Sequence, residues 1–196
     1  MQSQSFVTGC WRSMLIAATV LTATATPVAA KSLYAEPKYA AILLDAGSGE
    51  VLYSRQADAP RYPASITKVL TLYIAFEELS KGRMQMSDKI VMSRFATTQA
   101  PSKLGLRQGA TITVEDAMNV IATKSANDIA VALAEHISGS EIAFASRMTT
   151  TARRLGMKSS TFVNATGLPD DRQLTTARDI STLSRAVVRD FPQYYP

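Results

Sequence analysis

In the stretch RYPASITKVL, Arg61 to Leu70, a serine precedes a lysine by three residues at the mouth of an apolar run. On a helix that spacing puts Ser65 and Lys68 on one face. A serine hydroxyl is a poor nucleophile until a base takes its proton, and a lysine can be that base only if it is neutral part of the time. Burial lowers a lysine pKa, and so does the positive end of a helix. The plain alternative is an ordinary helix start, with Ser65 as the cap and Lys68 in solvent. S-x-x-K arises by chance about once in a chain of this length, so the pair needs a second element. SAN, Ser125 to Asn127, offers one: a polar tripeptide interrupts Ala-rich sequence that would otherwise favour one continuous helix. Its plain reading is a turn with Asn127 or Asp128 capping the next helix.

The elements that must position these residues follow from periodicity. Ala41–Leu44 and Val51–Tyr53 flank DAGSGE, a hairpin that should sit within a larger sheet, because two strands alone are barely stable. From Thr67, Val69, Leu72, Tyr73, Phe76 and Leu79 recur at helical spacing, with Leu70 and Ile74 covering the other face, as in a central buried helix. Short extended segments are expected at Lys89–Met92 and Thr111–Thr113, with a polar loop between them. Thr113 and Asp116 form a variant capping box for a helix running to the SAN break. A second helix runs from there to Gly139, a third from Glu141 to Leu155, and an amphipathic one carries Ile180, Leu183 and Val187. STFVNATGLPDDRQLT reads as a strand-like piece running into a loop.

Composition narrows the classes. The net charge of +5 is modest and spread out, with no basic run interleaved with aromatics, which speaks against nucleic-acid binding. The first thirty residues differ from the rest: Arg12, then the apolar SMLIAATVLTATAT, then PVAA with Val28 and Ala30 at the −3 and −1 positions of a cleavage site. That order is a secretory signal peptide. Export to the periplasm or cell envelope is expected, with a mature chain from Lys31. The single cysteine, Cys10, precedes the apolar stretch and is lost on cleavage, so neither lipidation, a disulfide nor a cysteine zinc site is expected. His136 is the only histidine, which leaves one candidate for a Ser-His-Asp triad. It follows the SAN turn on a helix, and there is no G-x-S-x-G elbow.

S-x-x-K followed by S-x-N is the pattern of the penicillin-recognising serine enzymes. Together with AAILLDAGSGEVLYSRQADAPRYPASITKVLTLYIAFEEL, VEDAMNVIATKSANDIAVALAEHISGSEIAFASRM and STFVNATGLPDDRQLTTARDISTLSRAVVRDFPQYYP, it resembles the low-molecular-weight penicillin-binding proteins, the serine D-Ala-D-Ala carboxypeptidases, over residues 38–196. The resemblance implies an α/β fold of the β-lactamase/transpeptidase type, three layers with a mainly antiparallel sheet and helices on both faces. It implies catalytic Ser65 (nucleophile), Lys68 (general base) and Ser125 (proton relay to the leaving D-Ala). Asn127 would bind the substrate backbone and help to fix Lys68, and the Ser65 N–H would be half of an oxyanion hole. Substrates would be peptidoglycan stem peptides ending in D-Ala-D-Ala, and β-lactams would be covalent inhibitors. No cofactor or metal is implied.

A third motif of that family, K-T-G, is absent. The nearest stretch, KSS at Lys158, lacks the glycine. Residues 31–196 are therefore expected to be an N-terminal portion of the catalytic domain, inactive as a carboxypeptidase alone, with any membrane-binding segment lying beyond. Two readings compete. A class A β-lactamase would carry a glutamate in NATGLPDDRQLTTARD, which holds only Asp170, Asp171 and Asp179. An inactive wall-binding fragment is the other.

Overall fold

The computed structural model describes residues 38–195, so the expected leader and cleavage site lie outside the described residues. The chain opens with β1 (Ala41–Leu44) and β2 (Val51–Arg55), paired antiparallel with Leu43 opposite Tyr53. Their turn is closed by Asp45, whose carboxylate accepts from the Ser48 amide at 2.7 Å and hydroxyl at 2.8 Å. A 3-10 turn (Ala64–Ile66) leads into α1 (Thr67–Ser80). Next come β3 (Lys89–Val91), α2 (Arg94–Thr97) and β4 (Thr111–Thr113), with β3 and β4 forming a second antiparallel pair. Then α3 (Val114–Lys124), α4 (Asn127–Ser138), α5 (Glu141–Leu155) and α6 (Ala177–Asp190) follow. Every pairing between strands is antiparallel, as the α/β reading expects, but among the described residues the strands form two separate two-stranded ladders.

Helix α1 is the centre. It packs against α3, α4, α5 and α6, and Leu70, Ile74, Ile129, Leu133, Phe144 and Met148 form a fully buried core between them. Its two buried carboxylates are both paired outward. Glu77 receives Arg154 at 2.7 Å, and Glu78 receives Arg83 at 2.7 Å and also Arg147, which ties α1 to α5. At the far end Tyr73 and Phe76 meet Phe191 edge-on, and Phe76 stacks on Tyr194 with ring centroids 4.9 Å apart.

Helix boundaries follow local chemistry. Thr113 caps α3 by accepting from the Asp116 amide at 3.0 Å, while its hydroxyl donates to the Asp116 carboxylate at 2.6 Å. Gly139 and Gly156 end α4 and α5 in the left-handed region, where glycine carries no Cβ penalty. One element was not foreseen. Helix α2 is a single turn inside the polar loop, nucleated by Ser93, whose hydroxyl accepts from the Ala96 amide. Four residues are too few to show a periodicity.

Candidate active site

Ser65 lies in the 3-10 turn and is exposed, and it does not cap α1: neither helical segment begins with a side-chain cap bond. Ala64, just before it, has φ +48°, an unfavourable conformation for an alanine. Lys68 is 3% exposed, not in solvent. Its Nζ lies 3.4 Å from Ser65 Oγ and donates to the Thr166 carbonyl at 2.6 Å. No carboxylate pairs with it among the described residues, and burial pushes its pKa down to about 8. The Nζ–Oγ contact is long, as catalytic hydrogen bonds often are before substrate binds.

The Thr166 carbonyl is held by a turn built on Asn164. The Asn164 side-chain oxygen accepts from the Thr166 and Gly167 amides at 3.2 and 2.8 Å, and from Gln173 Nε2 at 3.0 Å. Gln173 returns its own oxygen to the Val163 and Asn164 amides. Thr71, one turn along α1 from Lys68, donates its hydroxyl to the Ala165 carbonyl at 2.8 Å. Gly167 completes the fit. It has φ +86°, and a Cβ there would lie 1.7 Å from the Ala64 carbonyl oxygen and 3.0 Å from the Ser65 nitrogen. Only glycine lets this loop lie against the Ala64–Ser65 peptide.

Ser125 sits between α3 and α4 with φ +56° and ψ +36°, half-buried. The break is strapped by the 100–105 loop. The Asn127 amide donates to the Ser102 carbonyl at 2.7 Å, and Asn127 Nδ2 to the Ala100 carbonyl at 2.9 Å. The Asp128 carboxylate accepts from the Leu104 and Gly105 amides at 3.0 and 2.8 Å. Ser65 and Lys68 are thus brought together, whereas no hydrogen bond joins Ser125 or Asn127 to either of them among the described residues. It is Thr166, not Asn127, that fixes Lys68 here.

The other candidates fall elsewhere. His136 is exposed in the last turn of α4. Asp170 is paired with Arg172, Asp171 accepts from the Tyr62 hydroxyl, and Asp179 is committed to the Ser159 amide and Ser160 hydroxyl. Sequence reasoning missed Thr166, Gly167 and Asn164. The consecutive Asn, small residues and Gly of NATG are an Asx-turn signal that marked the loop, though not its contact with α1.

The profile of the D-alanyl-D-alanine carboxypeptidase family, peptidase family S11, matches residues 24–196. The chain belongs to this family. It is similar to the D-alanyl-D-alanine carboxypeptidase DacF of Bacillus subtilis (strain 168), 36% identical over 149 residues that cover 76% of this chain and 38% of the relative. Among solved structures it resembles the D-alanyl-D-alanine carboxypeptidase DacD from Francisella tularensis, with TM-score 0.78, 35% identity, and coverage of 80% of this chain and 38% of that one. It also resembles penicillin-binding protein D2 from Listeria monocytogenes in its ampicillin-bound form, with TM-score 0.70, 30% identity, and coverage of 79% and 63%. The chain spans about two-fifths of the length of the curated D-alanyl-D-alanine carboxypeptidases it matches. Its α/β fold is that of the penicillin-binding carboxypeptidases.

Proposed function

We propose that this chain carries the acylation machinery of a serine D-Ala-D-Ala carboxypeptidase acting on peptidoglycan stem peptides. The observation that carries the proposal is the buried Lys68 beside Ser65 Oγ, without a carboxylate partner among the described residues and with its pKa near 8. A neutral amine that donates one N–H to Thr166 has its lone pair free for the serine proton. Lys68 takes that proton as Oγ attacks the carbonyl carbon of the penultimate D-Ala, with the Ser65 N–H facing the developing oxyanion. Collapse breaks the C–N bond. The departing D-Ala amine receives a proton through Ser125 and leaves an ester on Ser65, which water then hydrolyses. Asn127 is assigned to the substrate backbone. A β-lactam follows the same first step, but its leaving nitrogen stays tethered, so the ester persists.

The three aspartates of the 164–179 segment are all engaged away from Ser65, which favours the peptidase over a β-lactamase with a loop carboxylate as water activator. We assign Met1–Ala30 to export. Envelope-fraction protein should begin at Lys31, and cytoplasmic protein retaining Met1 would remove the wall substrate from consideration. The chemistry is tested by intact-mass analysis of the full-length protein after penicillin treatment. One adduct is expected, on the Ser65 peptide and absent from Ser65→Ala. An adduct that survives that substitution overturns the assignment.

A further inference from the structure

Once the Ser65–Lys68 site is assembled, one half-buried carboxylate close to it is left without a role. Glu141 is the first residue of α5, where an acid ordinarily complements the helix N-terminus. Its Oε1 instead accepts from the amide of Ala165, twenty-four residues on, at 3.0 Å. The carbonyl of the same residue is taken by Thr71 of α1 at 2.8 Å. Both polar groups of Ala165 are thereby clamped, one from α5 and one from α1, in a residue with no solvent exposure. The next carbonyl along the chain, Thr166, is the one that receives Lys68 Nζ at 2.6 Å.

We propose that Glu141 is a positioning residue for the catalytic base: by holding the Ala165 amide it keeps the Thr166 carbonyl aimed at Lys68 Nζ and keeps water away from the amine. This rests on the reading of Lys68 as the base of Ser65. A buried N–H that loses its acceptor carries the full cost of its desolvation, so the loop must open to rehydrate it. Opening returns water to Lys68, restores its charged form and removes the acceptor that orients its lone pair.

What Glu141 supplies to the Ala165 amide is an acceptor oxygen. Burial raises its pKa, the Ala165 N–H opposes that, and the neighbouring carboxylate of Glu135 raises it further. An amide oxygen at position 141 would serve as well.

The test uses the full-length protein labelled with 13C at lysine Cε, with the Lys68 signal assigned by its loss in Lys68→Arg. Its shift is followed against pH beside the acylation rate with a fluorescent penicillin. In Glu141→Ala the Lys68 midpoint should move up from about 8, and each unit of that movement slows acylation at neutral pH about tenfold. Glu141→Asp keeps an acid at the helix N-terminus but falls a methylene short of Ala165. It should behave like the alanine variant and guards against a simple folding failure. Glu141→Gln should keep both readouts within about twofold. A Lys68 midpoint unmoved in the alanine and aspartate variants overturns the proposal, as does a glutamine variant as impaired as alanine. If penicillin does not acylate the wild type, the functional reading fails, while the Lys68 midpoints still decide the role of Glu141.

Discussion

Where α1 meets the 164–167 turn, Thr67, Lys68, Thr71, Ala165 and Thr166 are each at most 3% exposed, and their side-chain and loop polar groups are cross-bonded. In the β1–β2 hairpin every residue of β2 is exposed, Leu52 at 58% and Tyr53 at 47%, and the ladder is only two strands wide. The difference separates two jobs. The environment that lowers the Lys68 pKa comes from a helix packed on four others and from a loop nearly a hundred residues later in the chain. Among the described residues the hydrogen-bond partners of Lys68 are Ser65 and Thr166, neither of them in the hairpin. Perturbations in the two regions should therefore have different signatures.

The largest effect is expected at Lys68 itself. Lys68→Arg preserves a cation but cannot be neutral near pH 7. Acylation of Ser65 by penicillin should fall about 10²–10⁴-fold, or about 3–5 kcal/mol in the barrier, with the thermal unfolding profile still cooperative. Near-normal acylation in this variant would return Lys68 to a structural role.

Next comes a paired test of the two regions. Gly167→Ala forces a methyl group into the Ala64 carbonyl and puts a side chain at φ +86°. It should cost about 3 kcal/mol in urea unfolding and slow acylation as well, because the Ser65 peptide must shift. Leu52→Ser on the exposed face of the hairpin should change stability by no more than about 0.5 kcal/mol and leave acylation unaltered. A Leu52→Ser loss of about 2 kcal/mol or more would mean that this face is covered in the full-length protein, and the contrast between the two regions would have to be redrawn.

How far these features could be read from the sequence follows the same division. Helices α1, α3, α4, α5 and α6 announce themselves because each carries a 3.6-residue apolar period and a recognisable start or stop, such as Thr113, Gly139 and Gly156. Ser65 and Lys68 are readable as a pair because their proximity is local, three residues along the same turn. The residues that surround and hold that pair are remote. Thr166 contributes a backbone carbonyl, which no residue type advertises, from 98 positions away. Gly167 and Glu141 matter through contacts that appear only when α1, α5 and the 164–167 loop close on one another. Asn127, given by resemblance the task of fixing Lys68, instead turns its amide to Ala100 in the loop that straps the SAN break.

The central claim is that a lysine kept partly neutral by burial is the base for Ser65, and the pH dependence of acylation tests it most directly. Burial disfavours the charged amine, so the folded-state pKa lies near 8 rather than at the ordinary 10.5. Only the neutral form accepts the serine proton. The second-order rate of Ser65 acylation by a fluorescent penicillin should therefore rise about tenfold per pH unit below the midpoint and level off above pH 8 or so. A rate that is flat between about pH 6 and 9, or one that keeps climbing toward the pKa of an exposed lysine, would contradict the account.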